Sequence, residues 1–225
     1  MMEWILGYLT NILYKLIYYA PLLIISITVH EFAHAKTAQK LGDPTAAIAG
    51  RVSLNPMRHL DPIGSLCMLF FGFGWGKPVP VAVLNFKNPK RGSALVALAG
   101  PTSNLIMACI WGFLLGALYP ILPYGGYFHQ LLVIAVQLNC VLCVFNLLPI
   151  TPLDGSRILA LLLPNKIYYK MLRYERVFFI VLVVLMLLNI LNPVIQFLAN
   201  GMMLGIEYTF VALGDLLYQG IASLL

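Results

Sequence analysis

The chain has 225 residues, of which 61% are hydrophobic and only 10% charged, with mean hydropathy +0.89 and net charge +6. A soluble domain carries about 25% charged residues, so this chain lacks the polar surface to dissolve and reads as a polytopic membrane protein. Nor does the surplus of Lys and Arg mark a nucleic-acid binder. Eight basic residues fall between Lys36 and Arg91, five between Arg157 and Arg176, and none between Gly92 and Ser156, the clustering that membrane orientation produces.

Met1 to Tyr19 is apolar and aromatic, with Lys15 its only basic residue. It is long enough for a short span or an interfacial helix. With Glu3 in place of a basic cluster, no cleavable signal peptide is expected. Pro21 suits the first turn of a new helix, and Gly42-Asp43-Pro44 ends it. Lys36 and Lys40 favour the negative helix end and place that end in the cytoplasm. Inside this helix stands His30-Glu31-Phe32-Ala33-His34. Positions i and i+4 share a helix face, so His30 and His34 can hold one metal ion, and Glu31 beside them can take a proton from a water on that metal. Chance supplies H-E-x-x-H about once in a thousand chains of this composition. Packing alone is a poor account of three ionisable residues within one apolar turn.

Ala47 to Leu54 alternates in polarity and predicts a short strand; Lys77 to Val83 alternates again, its two prolines allowing only an edge strand. Pro62 to Gly76 is apolar, glycine-rich and too short for a helical crossing, which fits a re-entrant or shallow hairpin. Ser93 to Tyr119 is a clear span, Pro120 to Tyr127 an uncharged outer loop, and Phe128 to Leu148 the return. Ile150 to Gly155 then interrupts the helix at membrane depth, which is tolerated only where backbone is buried in protein or lines a wet cavity. Val177 to Leu191 is expected to cross outward, and the tail from Pro193 either crosses or lies on the outer surface.

The expectation is an all-α polytopic membrane protein of about five to six transmembrane helices, with a short β-hairpin or re-entrant element near the site. It forms a single domain, 1–225, with its core at 21–176 and with 1–20 and 193–225 as peripheral or extra membrane helices. The four cysteines lie in apolar stretches, and Cys140 and Cys143, though spaced C-x-x-C, read as packing inside a helix.

A catalytic zinc centre takes three protein ligands and keeps one position open. Beyond the His pair the candidates are His59, His129 and Asp154; Asp154, in a broken helix on the cytoplasmic side, is favoured on topology. Three motifs occur in order: His30-Glu31-Phe32-Ala33-His34, Gly100-Pro101-Thr102-Ser103-Asn104, and Asn146 through Asp154-Gly155. Together they resemble the site-2 protease family of intramembrane zinc metalloproteases. Asn55-Pro56, His59 with Asp61-Pro62, and Lys77-Pro78-Val79-Pro80 are similar to its small bacterial and archaeal branch. The resemblance covers about Pro21 to Arg176.

The resemblance implies one Zn²⁺ per chain held by His30, His34 and Asp154, with Glu31 as general base and then general acid. It places Asn104 and Asn146 near the scissile bond, holding the substrate strand or the oxyanion. An interhelical hydrogen bond in lipid, worth about 0.6–2 kcal/mol, accounts for either asparagine equally well. For His59 a loop contact is favoured over a metal ligand. The expected substrate is a transmembrane protein or signal-peptide-like segment, cut inside the cell membrane at a site facing the cytoplasm, with no nucleic-acid partner. The alternative is a non-proteolytic membrane metal-binding or transport protein, although few ionisable residues line the other spans to form a path. A homo-oligomer is compatible with the sequence, with the tail from Pro193 as its candidate contact; an ordinary surface or membrane helix explains that tail more simply.

Overall fold

The computed structural model describes residues 2–64, 67 and 76–222. Helices α1 (Met2–Tyr14) and α2 (Ala20–Lys40) are joined by a π-helical stretch, Lys15–Tyr19, into one continuous rod. Pro21 stands in the first turn of α2 as expected, but α2 is not separate from what precedes it, and residues 2–20 continue into the helix that carries His30 and His34. Proline lacks an N–H and crowds the carbonyl four residues back. The preceding turn widens to an i→i+5 pattern, in which the Ala20 amide donates to the Lys15 carbonyl, and the helix passes through.

The remaining helices are α3 (Thr45–Ile48), α4 (Pro89–Leu118), α5 (Tyr127–Leu147), α6 (Asp154–Leu159), α7 (Asn165–Arg173), α8 (Glu175–Leu187) and α9 (Asn192–Ala222). Among the described residues, four helical stretches are long and apolar enough to cross a membrane: Leu6–Lys40, Pro89–Leu118, Tyr127–Leu147 and Asn192–Leu216. The chain is a multi-pass membrane protein. The expected crossing at 177–191 does not reach span length, because α8 ends at Leu187 after 13 residues. That is about 20 Å against a hydrocarbon core of about 30 Å. Asn189 then turns the chain with φ 58, and α9 begins.

Helix α4 is the central element, in contact with α2, α5, α6 and α9. Ala108 of α4, Val136 and Cys140 of α5, and Ile195, Ala199 and Ile206 of α9 share one core, while Leu22 and Leu23 of α2 pack with Ile134 and Leu138 of α5. The tail is thus part of the bundle. Where α4 meets α9, a Cβ on Gly116 would lie 2.0 Å from the Phe210 carbonyl oxygen, and one on Gly214 would lie 2.0 Å from that of Gly116. Only glycine permits two backbones this close, and small residues serve membrane helix packing in this way. Cys140 and Cys143 are buried free thiols in the core.

No strand forms at 47–54 or at 77–83. Thr45–Ile48 closes its own helical turn, with the amides of Ile48 and Ala49 donating to Pro44 and Thr45 (2.9 and 3.0 Å), so that segment has no free ladder to offer a partner. Residues 77–82 lack regular structure, and two prolines remove donors there. An isolated antiparallel bridge, Leu60 to Gly76, is the β pairing among the described residues. The expected re-entrant segment at Pro62–Gly76 lies largely outside the described residues.

Asp43 pins these loops. Fully buried, it accepts hydrogen bonds from the Thr45 amide (3.1 Å) and hydroxyl (2.5 Å), the Ala82 amide (2.7 Å) and the Asn85 side-chain amide (2.7 Å). Burial alone would raise the carboxyl pKa, but the hydrogen bonds from Thr45, Asn85 and Ala82 outweigh it and hold the group below its usual range. A lowered folded-state pKa gives stability that is present above the unfolded pKa of about 4 and lost as pH falls through the folded value. Asp43→Ala, which removes the buried carboxylate acceptor of four hydrogen bonds, is expected to cost about 2–3 kcal/mol in denaturant unfolding at neutral pH. A loss under about 1 kcal/mol would show that the carboxylate does not tie the end of α2 to 82–85.

Candidate metal centre

His30 and His34 lie one turn apart on α2, and both are buried. Asp154 is the first residue of α6, where its negative charge suits the helix N-terminus. The His30 and His34 Nε2 atoms are 3.0 Å apart, and each lies 3.3 Å from Asp154 Oδ2. The structure therefore brings together the three ligands expected from sequence.

Two observations test whether a metal fits. Ligands at 2.0–2.2 Å on a tetrahedral zinc lie about 3.3–3.5 Å apart, and the observed triangle of donor atoms has edges of 3.0, 3.3 and 3.3 Å. Asp154 Oδ2 is also buried with no hydrogen-bond donor, a cost that a cation removes. The residues fit zinc.

Each imidazole is held from behind. His34 Nδ1 donates to the Val96 carbonyl (2.7 Å), and His30 Nδ1 faces Asn104 Oδ1 (2.6 Å). Both contacts come from α4, whose close approach depends on Gly100. A Cβ there would lie 2.4 Å from His34 Nε2 and 2.5 Å from His30 Cε1.

A cleft of about 480 Å³ opens over the three ligands and is also lined by Glu31, Asn146, Val79, Val81, Arg157 and Glu175. Arg157 and Glu175 form an ion pair of 3.5 Å. Asn146 lines the cleft while its Nδ2 donates to the Leu142 carbonyl (2.9 Å). Asn104 does not line it, being fully buried behind His30. His59 is a loop contact, its Nε2 2.6 Å from the Ser53 carbonyl, and His129 lies among Tyr119 and Tyr124 at the far end of α5. Sequence reasoning missed Asn139, which accepts from Asn104 Nδ2 (3.1 Å). Its signal was present, as a polar residue in an apolar helix two turns before Asn146 on the same face.

Fold and site define the class: a multi-pass helical membrane protein with a His2Asp donor set that could hold a metal ion and a glutamate in the same cleft. Comparison with known proteins makes this specific. The model of peptidase family M50 matches residues 123–190, the segment holding Asn146 and Asp154. "Putative zinc metalloprotease YwhC" of Bacillus subtilis is 46% identical over 168 residues, covering 72% of this chain and 77% of that protein. "Putative zinc metalloprotease Rip2" of Mycobacterium tuberculosis is 37% identical over 142 residues, or 59% of this chain and 52% of that protein. "Zinc metalloprotease MJ0392" of Methanocaldococcus jannaschii is 30% identical over 148 residues, 66% of this chain and 35% of that protein. No solved structure matches. The chain belongs to peptidase family M50, as its motifs indicated, and is a metallopeptidase for which the family implies zinc.

Proposed function

We propose that this protein is an intramembrane zinc metalloprotease that hydrolyses peptide bonds within or near transmembrane segments of other membrane proteins. The carrying observation is that His30, His34, Asp154 and Glu31 line one cleft within a bundle of membrane-length helices. His30, His34 and Asp154 would hold the zinc, which when bound acidifies water and polarises a carbonyl. Glu31 is the general base that takes the water's proton and returns it to the leaving amine. Asn146, at the cleft wall, is positioned to contact the substrate strand.

A transmembrane helix hides its carbonyls in intrahelical bonds, so a substrate must unwind before it is cut. The chain at 77–83 offers a place to hold it extended: Val79, Val81 and Val83, at alternate positions, line the cleft. The basic residues Lys36 and Lys40 at the end of α2, and those at 157–176, support a cleft on the cytoplasmic side of the cell membrane. Suitable substrates are transmembrane segments and signal-peptide-like helices.

The test is cleavage of a model transmembrane substrate by the purified protein, with the cut bond mapped by mass spectrometry. The expected cut lies within or beside the hydrophobic segment. A variant carrying Val79→Pro and Val81→Pro, unable to donate backbone hydrogen bonds there, should lose cleavage more than tenfold with zinc content unchanged. Undiminished cleavage by this variant would remove the strand-addition role, and no cleavage by zinc-loaded native protein of any such substrate would remove the proteolytic reading.

A further inference from the structure

We propose that Asn139 is a positioning residue of the metal centre, fixing through Asn104 which nitrogen of His30 carries the proton. The proposal rests on reading His30 as a metal ligand. The chain of contacts begins at a group whose polarity cannot change. The Ala135 carbonyl of α5 can only accept, so the Asn139 side chain must present its NH2 there (2.9 Å). Asn139 Oδ1 then faces Asn104 and requires a donor, which Asn104 Nδ2 supplies (3.1 Å). That leaves Asn104 Oδ1 toward His30 Nδ1 (2.6 Å), where it can only accept. His30 Nδ1 must therefore carry the hydrogen, and its Nε2 lone pair is left for the metal. Both asparagines are fully buried, so no water can take the place of a missing partner cheaply.

His34 needs no relay, because the backbone carbonyl of Val96 fixes its polarity directly. The two ligands thus have different supports, one a main-chain atom and one a pair of amides that could turn over. Without Asn139, Asn104 is free to flip and offer its NH2 to His30 Nδ1, placing the hydrogen on Nε2 and blocking ligation.

A double-mutant cycle on zinc affinity, read by competition with a chelator in the full-length protein, tests this. Asn139→Leu in the native background should weaken zinc binding about 10–100-fold, the usual effect of losing an outer partner. In an Asn104→Asp background the same substitution should cost at least threefold less, because a carboxylate accepts from His30 Nδ1 whichever way it turns. Losses in the two backgrounds that agree within threefold would assign Asn139 to packing and overturn the proposal. Nitrogen-15 spectra of the histidine rings add a readout that needs no stable variant: native metal-free protein should show His30 protonated at Nδ1, and an unprotonated Nδ1 overturns the relay. Asn139→Leu, or Asn139→Ser if leucine prevents folding, should move His30 and leave His34 unchanged. Native protein that binds no zinc would instead defeat the reading of the metal centre itself.

Discussion

Glu31→Gln is expected to lower cleavage by about 10²–10⁴-fold, the range that general acid–base catalysis supplies, while zinc stays bound. Glutamine keeps the size and shape of the side chain but cannot accept a proton at neutral pH. Glu31 stands outside the triangle formed by His30, His34 and Asp154, so the metal loses no ligand. The measurement pairs product formation from a transmembrane substrate with metal content of the same preparation. Loss of zinc together with activity would make Glu31 a contributor to metal binding, and full activity with bound zinc would place the base elsewhere.

Gly100→Ala is expected to abolish zinc binding and, with it, cleavage. The added methyl would sit 2.4 Å from His34 Nε2 and 2.5 Å from His30 Cε1, against both imidazoles at the metal-facing nitrogen of His34. Neither ring can retreat without giving up its anchor, Asn104 for His30 and the Val96 carbonyl for His34. Moving α4 away instead would open the Gly116–Gly214 contact with α9. Removing only an outer partner costs metal affinity 10–100-fold, and displacing two ligands at once should exceed the upper end of that range. Zinc titration of the folded variant decides the matter; native-like affinity would mean that α4 yields and that glycine is not needed there.

Much of this site was legible in the sequence because its chemistry is local. A helix places residues i and i+4 together, so the spacing of His30 and His34 is enough to define a two-ligand face. Asp154 was reachable through an interrupted helix on the same side of the membrane, and its motif carried the rest. Other expectations failed where tertiary contacts overrode a local pattern. The alternation at 47–54 does not make a strand, because Thr45–Ile48 satisfies its amides within a helical turn. Pro21 opens α2 but does not part it from α1, because the widened turn before it absorbs the missing hydrogen bond. The tail from Pro193 showed no family motif, yet Ile195, Ala199 and Ile206 are core residues.

The sequence by itself determined that the protein lives in a membrane and that two histidines share a helix face with a glutamate beside them, and it pointed to an aspartate as the third candidate donor. Composition and helical periodicity suffice for the first two, which depend on the bulk balance of apolar and charged groups or on residues within one turn; the aspartate came from the topology of an interrupted helix and from its motif's resemblance to a known family. Only the tertiary structure decided how the centre is held. His30 and Asp154 are 124 residues apart in sequence yet have ligand atoms 3.3 Å apart. Behind the two rings, α4 packs closely enough at Gly100 to bring Val96 and Asn104 against them. Packing between distant segments leaves no periodic trace in a single chain, so the partners of the ligands were visible only once the helices were in place.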